Sequence, residues 1–450
     1  MSSTAALDAV RSRLSGSLLL PGDSGFDAAR LPWNLTVDQR PAAVAEPAGI
    51  DDLSVLVEAA RTTGAPLAVQ PSGHGASGDL EGAILVRMSA FDDLRIDADA
   101  GVLHVGSGVR WGTVIAALEG SGWAAPSGTS PVISVGGYTL GGGHSWFSRT
   151  AGLGSDNLRA AWVLRPDGSH TRVDDGSDPD LMWALRGAGG VVGIVTRLEI
   201  DLVRTPSLWG ANIVFDAADS AAVIRAVRDL SADAPPTLNV FLNSARMPDA
   251  PQLPEAIRGR SFLALQALSV DGEADALLAA VRGAGRVQHE ASGPTSPGAL
   301  VAASTEPTEP MPAGGASMAL TSLDDATIDA LVAFRDLPEQ ASIIGIDLRM
   351  LGGALAAPRR AGFASLQSVG WLLHALAPSL PGAPAGLGDA SLDGLRGVLA
   401  HAAALRTIPT FLGPGETLEQ CVPPAEIERL RAVRDVVDPD GVLYAGRLPR

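Results

Sequence analysis

Cysteine is nearly missing from this chain of 450 residues: there is one, Cys421. A single thiol cannot close an internal disulfide, and it excludes a multi-thiolate zinc or iron–sulfur site. Basic charge is also short, with 33 Lys and Arg against 50 Asp and Glu, a formal net charge of −17. So acidic a chain repels phosphate backbones and anionic membrane surfaces, so neither nucleic acid nor a membrane is expected as a partner. Aromatic residues make up 4%, and the only tyrosines are Tyr138 and Tyr444. The N-terminal stretch has Leu18–Leu20 as its one apolar run, too short for a signal-peptide core or a membrane span. The expectation is a cytoplasmic protein in a reducing compartment. His170, His289, His374 and His401 lack ligand-like spacing, and no metal is expected.

What is present is apolar bulk and turn residues. At 46% hydrophobic, the chain has enough for a large core and reads as two domains. Its 52 Gly and 32 Pro imply many tight turns. Residues 51–64 read as a helix with Asp51 as N-cap and Gly64 as its stop. Residues 66–71 and 83–88 read as strands, 94–108 as a hairpin turning at Ala100–Gly101, and 109–122 as a helix. A second hairpin spans 160–173 around Pro166-Asp167-Gly168. Residues 194–203 alternate as in a half-buried strand. Composition changes after Pro206. Two stretches, 291–316 and 377–394, read as loops, either lids or insertions with little order. A tail helix spans 423–441, starting near Pro424.

Three glycine clusters follow a histidine set between two glycines. "AVQPSGHGASGD" (68–79) carries His74. "HVGSGVRWG" (104–112) begins like a dinucleotide fingerprint, but Trp111 stands where a small residue must pack helix on strand, which argues against a Rossmann fold. "SVGGYTLGGGHSW" (134–146) is too rich in glycine for a helix interior or a strand. It reads as bare backbone that a planar or phosphate-bearing body can approach. "RGAGGVVGIVT" (186–196) is the third cluster. Any one of them is explained by a turn; three and a histidine, all feeding strands, are not.

These residues resemble the vanillyl-alcohol-oxidase superfamily of flavoproteins, with its PCMH-type FAD-binding domain, and most closely the berberine-bridge-enzyme-like FAD-linked oxidases. The resemblance rests on "SGHG" (72–75), "PSGTSPVISVGGYTLGGG" (126–143), "GLGSDNL" (152–158) and "DPDLMWALRGAGG" (178–190), and it returns in the tail at 429–444. It implies an α+β fold. A PCMH-type FAD-binding domain of two subdomains would span 1–205, with its core at about 35–205. A substrate domain with an antiparallel sheet covered by helices would span 206–410, and residues 411–450 would return to the FAD domain. It also implies that His74 is joined through a ring nitrogen to the flavin 8α-methyl carbon. Gln70, Pro71, Ser72, Gly73, Gly75, Ala76 and Ser77 would cradle the pyrophosphate. Thr129, Ser130, Ile133, Ser134, Gly136, Gly137, Tyr138, Leu140, Gly141, Gly142 and Gly143 would line the flavin. Gly193, Ile194 and Val195 would lie on the adenine side.

Departures from the pattern sharpen the expectation. Ser130 stands where many relatives carry a second, cysteinyl link, so a single histidyl link to FAD is expected. Gln70 replaces a common arginine, Tyr138 a common histidine, and His144 follows the triple glycine. Ile133 falls where the family controls access of oxygen to the flavin. Phe411 replaces the tyrosine that assists deprotonation in carbohydrate and alcohol oxidases, and phenylalanine cannot take a proton. Tyr138, His144 and Asp347 are the candidate catalytic residues; a strand end at the surface explains Asp347 equally well. The implied activity is oxidation of a small, mostly apolar organic molecule by hydride transfer to flavin N5, with O2 or another acceptor reoxidising the flavin. Two alternatives stand: a tailoring enzyme performing ring closure, desaturation or dehydration, and a flavin-holding protein with little turnover.

Overall fold

Apolar runs of three to nine residues, punctuated by glycine and proline, become strands of three main sheets in the computed structural model. It describes residues 3–449 apart from 79, 252–254, 256, 305, 338, 339, 341, 366–369, 380–385, 405 and 406. A four-stranded sheet uses β1 (Ser17–Leu19), β2 (Ala43–Glu46), β3 (Leu67–Val69) and β4 (Ile84–Val86) in the order β1-β2-β4-β3, with β2 and β3 both parallel to β4. Helices α1 (Ser3–Arg11), α2 (Phe26–Arg30) and α3 (Ile50–Thr63) accompany it. Leu53 and Leu56 of α3 are fully buried against Ile84 and Val86. Each such side chain contributes on the order of 1.5–3 kcal/mol.

Asp51 does not cap α3. Gly49 holds the cap position without a side-chain bond, and Asp51 lies exposed in the first turn, where it complements the helix dipole. Its neighbour Asp52 is the buried one, and its carboxylate accepts the backbone N–H groups of Ser15, Gly16 and Ala48, each at 2.8 Å.

The second sheet is antiparallel, in the order β5-β6-β10-β8-β9. Its members are β5 (Leu94–Asp97), β6 (Val102–Gly106), β8 (Leu158–Leu164), β9 (His170–Asp174) and β10 (Ile194–Asp201). Strands β7 (Trp123–Ala124) and β11 (Val203–Arg204) form a short ribbon. Helices α4 (Trp111–Leu118), α5 (Val135–Leu140), α6 (Ser148–Ala151) and α7 (Pro179–Ala188) belong to this half. The glycine stretch at 134–143 therefore contains a helix, α5, contrary to the expectation from glycine content. Ser134 starts it by accepting Gly137 N–H, and close packing overrides the propensity: a Cβ on Gly136 would lie 2.7 Å from Ser107.

The third sheet has seven antiparallel strands. They are β12 (Trp209–Asp216), β13 (Leu238–Arg246), β14 (Ser261–Ser269), β15 (Val287–Pro294), β16 (Ala313–Leu320), β17 (Gly345–Met350) and β18 (Trp371–Pro378). Their order is β15-β12-β14-β13-β17-β18-β16. Helices α8 (Ser220–Asp233), α9 (Asp275–Gly283), α11 (Asp325–Asp336) and α12 (Leu387–Leu399) cover one face, and α10 (Pro297–Ser304) precedes β16. Strand periodicity sends Val240, Leu242, Leu348 and Leu373 into that helical layer, and Phe241, Asn243, Asp347, Arg349 and His374 to the opposite face.

The stretch 291–316 is thus largely ordered structure, not a loop: it ends β15, contains α10 and begins β16. The small residues that gave it an irregular look fit a ladder, since β16 pairs with β18 from Ala313↔Pro378 to Leu320↔Trp371. Nor is 377–394 a loop throughout: residues 377–378 end β18 and 387–394 begin α12, and residues 380–385 lie outside the described residues. The last helix, α13 (Pro424–Val437), packs on α7, and Tyr444 N–H donates to Leu67 O at 2.9 Å.

Candidate functional site

The 68–78 segment leaves β3 and turns at Gly73. Gly73 has φ +75°, and a Cβ there would lie 2.9 Å from Pro32 and 3.0 Å from the Trp33 nitrogen. The two glycines flanking His74 therefore do different work: Gly73 lets the chain turn against residues 32–33, while a Cβ on Gly75 would meet nothing within 4 Å. The His74 ring stacks on Trp33, with centroids 4.4 Å apart and planes 16° apart. Neither of its ring nitrogens has a hydrogen-bond partner. Burial, and secondarily the Arg110 guanidinium, push its pKa down to about 4. At neutral pH the imidazole carries a free lone pair.

His74 borders a cavity of ≈ 330 Å³ between the first two sheets and the tail. Of the residues expected to contact a cofactor, Gln70, Pro71, Ser72, Gly73, His74, Gly75, Ser77, Ile133, Ser134, Gly136, Gly137, Tyr138, Leu140, Gly141, Gly193 and Val195 line it. The Gln70 amide faces away from a charged role, exchanging hydrogen bonds with Gln39 at 2.9 and 3.0 Å. Ser72 Oγ accepts Ser134 N–H at 3.3 Å and ties the histidine loop to α5. Four buried polar atoms on the wall lack partners: both nitrogens of His74, Ser107 Oγ and the Tyr138 hydroxyl. A wider depression of ≈ 760 Å³ beside α12 has no such atom among its described lining residues.

Six expected residues do not border this cavity. Ala76 and Ile194 are buried in the protein. Gly142 and Gly143 make room for protein groups: a Cβ on Gly142 would lie 2.9 Å from Ile408, and one on Gly143 2.4 Å from the Tyr138 ring. The Thr129 hydroxyl donates to the Glu306 carboxyl across the two halves of the molecule, and burial raises the pKa of that carboxyl. Ser130 is buried with its Oγ unpartnered. Sequence reasoning misses part of the wall. Gly187–Val191 line it, and their glycine-rich sequence is a usable signal. Pro409, Thr410, Leu418, Tyr444, Gly446 and Arg447 also line it, with no local signal. Arg447 clamps this side by donating to Gly413 O (2.6 Å), Glu416 O (2.8 Å), Leu412 O (3.0 Å) and Gly75 O (3.2 Å).

A second group of side chains lies beyond Tyr138, on the face of the third sheet opposite its helices, which packs against Trp146 and Phe147. Cross-strand register aligns Asn243, Asp347, His374 and Ser317 in one row over four adjacent strands. Asp347 is thus in the middle of an interior strand and half-buried, not at a strand end. Its carboxylate accepts from Asn243 Nδ2, and from Arg349 Nη2 at 3.2 Å. The Arg349 guanidinium lies 4.8 Å from the Phe241 ring centroid and 5.3 Å from that of Phe411. His374 is 5.3 Å and His144 6.4 Å from the Phe411 ring, centroid to centroid. Burial drives the pKa of His374 down to about 4, against an opposing pull from Asp347, and that of His144 well below the usual range. Tyr138 is walled in by Gly128, Gly143 and Gly154, and burial raises its phenol well above 10. It is a poor base.

Residues 41–174 match the family described as "FAD binding domain", FAD_binding_4. Among curated proteins, an FAD-dependent monooxygenase of Fusarium proliferatum is 33% identical over 225 residues, 49% of this chain and 44% of that protein. The (R)-6-hydroxynicotine oxidase of Paenarthrobacter nicotinovorans is 28% identical over 244 residues, 52% of this chain and 53% of that one. The matched stretch spans about half the length of these relatives. Among solved structures, the berberine-bridge-enzyme-like protein 1 of Physcomitrella patens superposes with TM-score 0.85 at 18% identity, covering 98% of this chain and 99% of that one. The 6-hydroxy-D-nicotine oxidase of Arthrobacter nicotinovorans gives 0.81 at 23%, covering 96% and 97%.

Proposed function

We propose, from an FAD-binding domain at residues 41–174 joined to a chain with the fold of the FAD-linked oxidases, that this protein is an FAD-dependent oxidoreductase acting on a small organic molecule. The observation that carries the reading is His74: a neutral imidazole with both nitrogens unpartnered, opening on a cavity walled by glycine backbone. Those features fit a flat dinucleotide cofactor. His74 would hold it covalently through a ring nitrogen, which must be unprotonated to form the bond. Ser130 offers no thiol for a second bond, so the link is single. The loop from Gln70 to Ser77 and α5 would supply the cradle, and Arg447 holds that loop against the tail.

Bound FAD would supply the acceptor for a hydride leaving the substrate, and O2 or another acceptor would restore it. The chain's own part is to orient the substrate, exclude water and take the proton released. His374 is the residue for the last task. It is neutral at pH 7, stands in register with Asp347 across the β17–β18 pair, and gains a countercharge there once protonated. Phe411 beside it cannot share the task. Asp347 positions and stabilises the imidazolium.

The test is mass spectrometry of the peptide containing His74 from purified, acid-precipitated protein. It should carry the mass of one FAD, and the yellow colour should stay with the pellet. His74→Ala should lose the covalent mass. An unmodified His74 in a protein without affinity for FAD overturns the proposal. Anaerobic bleaching of the bound flavin by candidate substrates separates turnover from simple storage of the cofactor.

A further inference from the structure

Arg349 is 7% exposed, and no buried guanidinium is held cheaply. Its ion pair with Asp347 is a single contact, to Oδ2 at 3.2 Å, far short of the two parallel bonds that saturate an arginine–carboxylate pair. Its Nε is buried with no partner. Two aromatic faces, Phe241 and Phe411, flank the guanidinium and fix its plane. Around it, the other unpartnered buried atoms are the Trp146 indole N–H, stacked against Phe241 at 4.0 Å, the Tyr138 hydroxyl, both nitrogens of His144 and His374 Nδ1. The Arg349 Nε and the Trp146 indole can only donate, while the Tyr138 hydroxyl and the neutral imidazoles of His144 and His374 can donate or accept. Both oxygens of Asp347 are already engaged, by Asn243 and by Arg349. A ligand that satisfies the Arg349 Nε and the Trp146 indole must bring acceptor atoms.

We propose that Arg349 is the anchor of the substrate site and that the substrate presents to it a carboxylate or an ionised phenol or enol on an otherwise flat, apolar body. This rests on reading the adjoining cavity as the FAD site, and it narrows the substrate class. A cationic amine is disfavoured, because it would face a guanidinium and a carboxylate that is already paired. The half-buried Phe411 ring would pack against the flat body.

The experiment uses the protein as purified. Flavin content is measured first, by absorbance and by the mass of the His74 peptide; missing flavin overturns the cofactor reading. Benzoate, phenylacetate and 3-phenylpropionate are then titrated, each against its primary amide, by calorimetry and, where flavin is present, by the shift of its visible spectrum. At least one carboxylate should bind about tenfold or more tightly than its amide, as loss of a charge-assisted bond predicts. Arg349→Gln should erase that preference with flavin content kept, and Arg349→Lys should retain part of it. Asp347→Asn, which frees the guanidinium from its internal anion, should tighten carboxylate binding, a gain that misfolding cannot mimic. No carboxylate exceeding its amide, a preference unchanged in Arg349→Gln, or weaker binding in Asp347→Asn would each overturn the proposal, whatever the flavin content.

Discussion

The glycine-walled cavity beside His74 and the cationic aromatic cluster around Arg349 meet at Tyr138 but are built by opposite means. Most of the cavity is made from contiguous segments, 70–77, 133–141 with α5, and 187–195, whose glycines let backbone segments approach one another. The cluster is made from register: residues 243, 317, 347 and 374 come together only because four strands pair in one alignment. The first arrangement suits a cofactor recognised by shape. The second places single side chains by the pleat of the sheet, and can change chemistry without disturbing the cofactor's seat.

The largest effect that tests this separation is at His374. His374→Gln should lower kcat/KM by ~10²–10⁴-fold, the usual worth of a positioned base, while flavin content stays at the parent level. In the parent, kcat/KM should hold on acidification until pH approaches 4, where the imidazole protonates. Loss of flavin together with activity would mean that the two regions are not independent. Next in size is a contrast inside the cavity wall. Gly143→Ala puts a Cβ 2.4 Å from the Tyr138 ring at a position with φ +71°, and overpacking plus left-handed strain should cost about 3 kcal/mol. Gly190→Ala meets nothing within 4 Å and should shift stability by no more than about 0.5 kcal/mol. Since Gly190 lines the cavity, its methyl group should instead weaken flavin retention. Thermal melts of the flavin-free proteins, and flavin content after gel filtration, separate the two outcomes.

The same difference decides how much of each region is legible in the amino-acid sequence. His74, its flanking glycines and the three clusters are contiguous signals, and most of the expected contacts do line the cavity. The pattern misleads where it credits every glycine to the cofactor, since Gly142 and Gly143 serve Ile408 and Tyr138. Glycine content also hides α5, whose helix is imposed by packing on Ser107. The cluster has no contiguous signal. Asp347 stands out as a carboxylate on an apolar strand, but His374 escapes notice when histidines are weighed only by metal-ligand spacing. The informative feature is one polar residue in "WLLHALAP", on a strand with apolar residues to both sides. Its partner on β17 is set by pairing that no local pattern encodes. The tail residues at 444–447 are hidden for the same reason, being placed by the contact of Leu67 with Val442 and Tyr444.

The smallest expected effect concerns acid stability, and it draws the two regions onto one scale. His74 and His374 have their pKa lowered from 6.5 to about 4 by burial, and Asp156, under α6, has its pKa raised from 3.8 to about 7 by burial. Between pH 6.5 and 4 each histidine is protonated in the unfolded chain and neutral in the folded one. Its contribution is complete above pH 6.5 and is lost as pH falls, with a slope of up to about 1.4 kcal/mol per pH unit. Asp156 acts in the reverse sense: its carboxyl is protonated when folded and ionised when unfolded, so stability is gained as pH falls from 7 towards 3.8. In the flavin-free protein the Asp156 term offsets only part of the histidine terms, so the parent should still lose stability as pH falls from 6.5 towards 4. His374→Asn removes one acid-labile term, so its melting temperature should rise relative to the parent as pH drops from 7 to 4.5. Asp156→Asn removes the opposing term, so its melting temperature should fall relative to the parent over the same range. Parallel curves for the two variants would mean that neither burial governs the titration.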